Sequence, residues 1–270
     1  MKVRAQNTLQ FLIIRMGVAL FHTLTVCILL FGASRAIAQG NSDYIQQPMF
    51  YNFQGIPQGP EGQKYVALTF DDGPHQVLTP RLMDILQKTG SKVTFFVMGV
   101  KALLHPYILE RAVREGHEVA NHVWDHPVLT KISPQELSSQ LTRTSEAIRA
   151  ATAQPPKTMR PPYGLTNRRN NDMIYGQKKM TVIQWSIDTI DWQHPEPAKI
   201  VERVMSKVKN GDVILCHDIH ANTINAMPAL IDALKKEGFE LVTASTLVSL
   251  WNAHKSKSSS SPRRLRGMKA

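Results

Sequence analysis

Cysteine is nearly absent. Of 270 residues, only Cys27 and Cys216 are cysteines, and Cys27 lies in an N-terminal segment that reads as an export signal. An exported domain that keeps only Cys216 excludes an intramolecular disulfide, so its core must hold it together unaided. A domain of about 190 residues is large enough for that. Acidic residues are missing from both ends. Residues 1–38 hold Lys2, Arg4, Arg15 and Arg35, residues 252–270 hold Lys255, Lys257, Arg263, Arg264, Arg266 and Lys269, and neither stretch has an acid. Those cations leave a body with almost none of the net charge of +11. Basic ends on a near-neutral body argue for targeting and surface adhesion and against a nucleic-acid-reading face. Internal repeats are also lacking.

What is present begins with Lys2 and Arg4, followed by a mostly apolar run over residues 16–33 and the small-x-small triplet Ala36-Ile37-Ala38. This is the pattern of a cleaved export signal. The alternative is an uncleaved anchor, since the run is nearly long enough to span a bilayer. Either outcome places the remainder outside the cytoplasm, in the periplasm or at the cell wall. Residues 39–62, rich in Gln, Gly, Pro and Asn, read as a linker. Residues 63–252 read as the folded domain, and residues 253–270, rich in Lys, Ser and Arg, as a disordered basic tail.

Within the domain, apolar runs at residues 66–70, 93–97, 117–120, 158–160, 181–185, 213–216 and 240–242 alternate with helical patterns. The helices are predicted over residues 79–88, 102–115, from Ser133 onward, 197–207 and 223–236. Ser133-Pro134-Gln135-Glu136 supplies an N-cap, an N1 proline and a capping-box glutamate. About seven alternations of strand and helix predict an α/β fold, a parallel sheet or a barrel. Such folds bind ligands at the carboxyl ends of their strands.

Five polar clusters stand just after predicted strands. The first is Thr69-Phe70-Asp71-Asp72-Gly73-Pro74. Neighbouring residues of an extended chain point to opposite sides, but a turn can bring both carboxylates to one pocket. The second, His122-Val123-Trp124-Asp125-His126-Pro127, places two histidines four apart, on one face if the segment is helical. Two imidazoles and a carboxylate make a catalytic zinc set with one open position. The third is Arg160-Pro161-Pro162-Tyr163-Gly164, a stiff loop whose arginine is costly to bury unless paired. The fourth is Asp188-Thr189-Ile190-Asp191-Trp192. In the fifth, Ile214-Leu215-Cys216-His217-Asp218-Ile219-His220, an apolar strand ends in a histidine that can titrate near neutrality. Taken singly, each has a plainer explanation: a solvated turn, unrelated surface histidines, a stiff turn, a helix cap, a core histidine.

Together, in this order, the five clusters resemble the carbohydrate esterase family 4, or NodB-homology, polysaccharide deacetylases, over residues 63–252. The resemblance implies a distorted (β/α) barrel of about seven parallel strands. It implies a divalent metal, commonly zinc with cobalt as a substitute, on Asp72, His122 and His126. It makes Asp71 the catalytic base and His217 the acid, with Arg160 orienting the base and Asp191 tuning the acid. It gives Tyr163 a backbone N–H for the oxyanion, and Trp192 and Leu215 the walls of an acetate pocket. One departure is Val123, where the family usually has Ser or Thr to brace the histidine loop.

The expected activity is removal of N-acetyl groups from an N-acetylglucosamine polymer. Peptidoglycan is the first choice, because a basic tail suits an anionic cell wall. Chitin oligomers, an exopolysaccharide and O-acetylated xylan are alternatives of the same chemistry. A non-catalytic carbohydrate-binding protein is an alternative of another class, but Asp71, Asp72, both motif histidines and His217 are all present. No nucleic-acid partner is expected, and contact with a membrane only through an uncleaved N-terminal anchor.

Overall fold

The computed structural model describes residue 53 and residues 55–260. The segment read as an export signal, most of residues 39–62 and the end of the basic tail lie outside the described residues. All described residues belong to the unit Gln47–Ala270.

Eight parallel strands form the sheet: β1 (Lys64–Asp71), β2 (Thr94–Val97), β3 (Glu118–Asn121), β4 (Thr158–Met159), β5 (Thr181–Val182), β6 (Ile187–Asp188), β7 (Asp212–His217) and β8 (Phe239–Leu241). Their order is β5-β4-β3-β2-β1-β7-β6, and β8 also pairs with β1. Val66 of β1 pairs with Asp212 on one side and Leu241 on the other, so β8 fills the stretch of β1 that β2 leaves free.

Strand period explains the two sides of the sheet. On β1, Val66, Leu68 and Phe70 join the cluster under the helices, whereas Ala67 joins the inner one, in the same row as Thr69 and Asp71. On β7, Ile214 and Cys216 face the helices and Val213 faces inward, in the same row as Leu215 and His217. The inner row of each strand therefore ends in a titratable residue at the carboxyl end of the sheet.

The run predicted as one strand over residues 181–185 is broken. β5 and β6 are neighbours in sequence but lie at opposite edges of the sheet, joined by residues 183–186. Ile183 N–H donates to Met159 O at one edge, and Ser186 N–H to Val213 O at the other. A four-residue link can span only a short gap, so the sheet curls until its edges nearly meet. This is a distorted barrel, open at one seam.

Helices α1 (Leu78–Thr89), α2 (Gly99–Leu104), α3 (Pro106–Arg114), α4 (Pro134–Thr152), α5 (Arg168–Gly176), α6 (Pro197–Met205), α7 (Ala221–Lys236) and α8 (Ala244–Ser260) complete the fold. Three departures from expectation have clear causes. The helix predicted over residues 102–115 is two, because Pro106 offers no N–H and restricts His105 (φ −131°). The linker is not all linker: Phe53 and Ile56 are buried with Ala67, Phe96 and Val213, so apolar anchors tie its second half to the barrel. The tail is not irregular from its start, since α8 continues to Ser260. At Ser133 the expected cap is present, its hydroxyl accepting Glu136 N–H at 3.1 Å. No described helix is long and apolar enough to cross a membrane.

Candidate metal centre and cavity

A cavity of about 470 Å³ opens at the carboxyl ends of the strands. Asp71, Asp72, His122, His126, Tyr163, Leu215 and His217 line it, with Trp192 at its edge. Eight of the ten residues singled out in the sequence thus share one cavity, and the other two, Arg160 and Asp191, lie directly behind it.

Asp71 ends β1, and Asp72 follows with a left-handed backbone (φ 69°). That reversal turns both carboxylates toward one pocket. Asp72 Oδ1 lies 3.4 Å from His122 Nε2 and 3.3 Å from His126 Nε2. This oxygen is buried and, among the described residues, has no hydrogen-bond partner. His122 Nδ1 is 2.7 Å from the Arg160 carbonyl, so Nδ1 carries the proton and Nε2 presents its lone pair to the cavity. Burial opposes charge on Asp72, but the adjoining imidazoles of His122 and His126 outweigh this and hold it below the ordinary carboxylate range. Burial, reinforced by His122, pushes His126 down toward the neutral, ligating form.

These donors fit a metal. In a tetrahedron, bonds of about 2.0–2.1 Å place ligand atoms about 3.3–3.4 Å apart, which matches the two measured separations. The orphaned Asp72 oxygen is the atom such an ion would satisfy.

The histidine segment is not helical, the condition under which the four-residue spacing alone would put both rings on one face. Residues 122–126 form a loop in which Val123 (φ 57°) and His126 (φ 68°) are left-handed, and this brings the rings to 5.0 Å. A β-branched residue is strained in that region. The loop is nevertheless braced without a hydroxyl at Val123. Asn121 Oδ1 accepts Val123 N–H at 2.8 Å, and Gln140 Oε1 accepts Trp124 N–H at 2.8 Å.

Arg160 is fully buried beneath Asp71. Its Nη1 donates to Asp71 Oδ1 at 2.7 Å and to Thr69 Oγ1 at 2.8 Å. Its Nε donates to Ile183 O at 3.1 Å and Nη2 to Gln184 O at 3.0 Å, and the guanidinium lies over the Phe96 ring. These partners answer the cost of burying a cation. Across the cavity His217 Nδ1 lies 2.7 Å from Asp191 Oδ1. In the Arg160–Gly164 loop Tyr163 is left-handed (φ 58°), and its ring meets His126 edge-on at 4.7 Å. The loop's own hydrogen bonds run from Gly164 N–H and Leu165 N–H and do not use Tyr163 N–H.

Two lining residues were given no role from the sequence, Trp185 and, although it opens the fourth cluster, Asp188. Trp185 lay inside an apparent strand. Asp188 does serve partly as a turn former, accepting Ile190 N–H at 2.7 Å.

Residues 58–183 match the family described as polysaccharide deacetylase. The chitooligosaccharide deacetylase of Bradyrhizobium sp. (strain ANU 289) is 36% identical over 67% of this chain and 89% of its own length. Peptidoglycan-N-acetylglucosamine deacetylase PgdA of Listeria monocytogenes is 39% identical over 71% of this chain, which spans only 41% of that relative. The solved structure of peptidoglycan deacetylase PdaC from Bacillus subtilis, 38% identical, superposes with a TM-score of 0.67 over 73% of this chain and 95% of that one. With the cavity and its donor set at the carboxyl end of a distorted parallel barrel, these likenesses establish that the chain belongs to the polysaccharide deacetylase family.

Proposed function

We propose that the protein is a zinc-dependent deacetylase that hydrolyses N-acetyl groups on N-acetylglucosamine residues of peptidoglycan, outside the cytoplasm. The observation that carries this reading is one cavity with a three-donor metal set flanked by two differently held proton-transfer groups. Tetrahedral spacing of an Asp-His-His set suits zinc, with cobalt as a substitute. A metal held there would polarise the acetyl carbonyl and lower the pKa of a bound water.

The chain's own groups then divide the work. Asp71, fixed by Arg160, accepts the proton of the attacking water. Tyr163 N–H, free of the turn's own bonds, donates to the oxygen on which charge develops; one such donor is worth roughly 3 kcal/mol. His217, oriented by Asp191, protonates the leaving nitrogen from Nε2. Leu215 and Trp192 wall the space for the acetyl methyl group. Trp192 is half exposed and well placed to meet the sugar as well.

Two features support a polymer of the cell wall. They are the named substrates of the PgdA and PdaC relatives and the cationic residues 252–270, which suit an anionic wall. A second reading, chitin oligomers, is favoured by the chitooligosaccharide deacetylase that this chain matches over most of that relative's length. Mass spectrometry of purified peptidoglycan fragments and of an N-acetylglucosamine tetramer, each incubated with zinc-loaded protein, decides between them. Loss of acetyl mass from peptidoglycan fragments is expected. Loss from the tetramer alone would favour the second reading, and loss from neither would defeat both.

A further inference from the structure

Asp218 follows His217 directly, yet none of the roles above uses it. It is fully buried. Its Oδ2 accepts the hydroxyl of Thr79 in the first turn of α1, and its Oδ1 has no hydrogen-bond partner among the described residues. Around it Pro74, Phe95, Val97 and Ile108 line a small void. A half-satisfied carboxyl among apolar side chains is costly. Such a violation of the packing rules is most often kept where function needs it.

Its surroundings indicate what is gained. The carboxyl lies flat against Gly73, the residue after Asp72, and any side chain at Gly73 would overlap it. Thr79 extends the contact, because its Oγ1 also accepts His75 N–H at 2.7 Å. On the other side of the turn Met98 N–H donates to Gly73 O at 3.0 Å, and Lys101 Nζ donates to Asp72 O at 2.7 Å. Asp72 is left-handed (φ 69°), a conformation its surroundings must impose. The turn is thus held from outside at both ends, and one of the holding groups is the neighbour of His217.

On the reading of the cavity given above, we propose that Asp218 is a positioning residue: through Thr79 and Gly73 it fixes the turn presenting Asp71 and Asp72 against the strand end presenting His217. A group on the metal side and a group on the acid side then keep their separation, although they arise from different strands.

The test compares zinc-loaded wild type with Asp218→Ala, Asp218→Asn, Thr79→Val and Thr79→Ser. Two readouts are taken: turnover of an N-acetylglucosamine tetramer, and zinc affinity by competition with a chelating dye. In Asp218→Ala and Thr79→Val, kcat should fall about ten- to a hundredfold with KM little changed, as expected for displaced reacting groups. Zinc affinity should fall about tenfold or more, as for other outer-shell supports. Asp218→Asn and Thr79→Ser keep an acceptor and a hydroxyl in place and should recover most of both. If Asp218→Ala does not fold, the nearly isosteric Thr79→Val decides. Unchanged kcat and zinc affinity in Thr79→Val, with only the melting temperature altered, would overturn the proposal and leave Asp218 a scaffold. If wild type does not turn over the tetramer, the affinity readout still decides the positioning role, while the substrate reading fails on its own.

Discussion

Asp191 holds His217 by both of its oxygens: Oδ1 lies 2.7 Å from the ring Nδ1, and Oδ2 accepts the backbone N–H of the same residue at 2.7 Å. Thr223 donates to Oδ2 at 2.7 Å, so the carboxylate cannot rotate away. Burial disfavours the imidazolium, but the bond to Asp191 and the charges of Asp191 and Asp71 outweigh it and raise His217 to about 9. The folded-state value lies above the unfolded one of about 6.5. The pair therefore contributes stability that is full below pH 6.5 and lost as pH rises through about 9. In metal-free protein the His217 ring should titrate near 9 by NMR. Asp191→Asn should lower that value by more than one unit and move the alkaline loss of activity to lower pH. A wild-type ring titrating at an unperturbed value would refute the assignment.

Asp71→Asn should keep its zinc and lose most of its turnover. An amide cannot accept the proton of water, whereas Asp72, His122 and His126 still supply the donor set. Elemental analysis alongside the turnover assay checks both halves. Near wild-type kcat would mean that another residue is the base.

Removing the metal should abolish turnover, and added Zn²⁺ or Co²⁺ should restore it. His126→Ala should not be rescued at the same metal concentration, having lost one of three donors. Full activity of metal-free wild type would rule out the role given to the triad.

Arg160→Ala should destabilise the fold by about 3–5 kcal/mol, the usual cost of breaking a buried ion pair by removing one partner. Asp71 would lose its cation, and two inner carbonyls would lose their donor. Urea unfolding measures the difference. A loss below about 1 kcal/mol would show that the buried guanidinium is not structural.

His117 provides a control far from the cavity. Its ring is buried beside Phe95, and Nδ1 accepts Val93 N–H at 3.3 Å. Burial, with Lys92 nearby, pushes it down to about 4. The unfolded chain then takes up the proton first, so this residue's contribution is lost as pH falls from about 6.5 toward 4. Unfolding free energy should drop between pH 7 and pH 5, and His117→Gln should flatten that slope. An unchanged slope would mean that other groups control the acid limb.

The strand-end positions were legible because each lies where an apolar run stops, and a parallel sheet gathers those stops at one end. Ser133 was legible because an N-cap is local chemistry. What escaped depended on backbone states that residue type does not announce. Nothing in Val123 or His126 signals a left-handed residue, so the histidine loop read as a possible helix. The break between β5 and β6 was hidden because Ile183 and Trp185 are as apolar as a strand requires. Helix α5, built from Arg, Asn and Asp with little apolar periodicity, gave no signal beyond Asn167, whose side chain caps it. Phe53 and Ile56 were hidden by polar neighbours, although each is an anchor by itself.

The open seam has a consequence for how such a protein can decay. Between β5 and β6 no ladder joins the edges, and the guanidinium of Arg160 bonds the carbonyls of Ile183 and Gln184 that line the gap. The same side chain holds Asp71. An amide in place of Asp71 still accepts from Arg160, and loss of a metal-donor histidine leaves the two carbonyl bonds untouched. Loss of Arg160 removes the donor from both carbonyls as well as the partner of Asp71, the costlier change. Inactive members built on this scaffold are therefore expected to keep the arginine after the groups it serves have gone, so its presence testifies to the fold, and that of Asp71 to the chemistry.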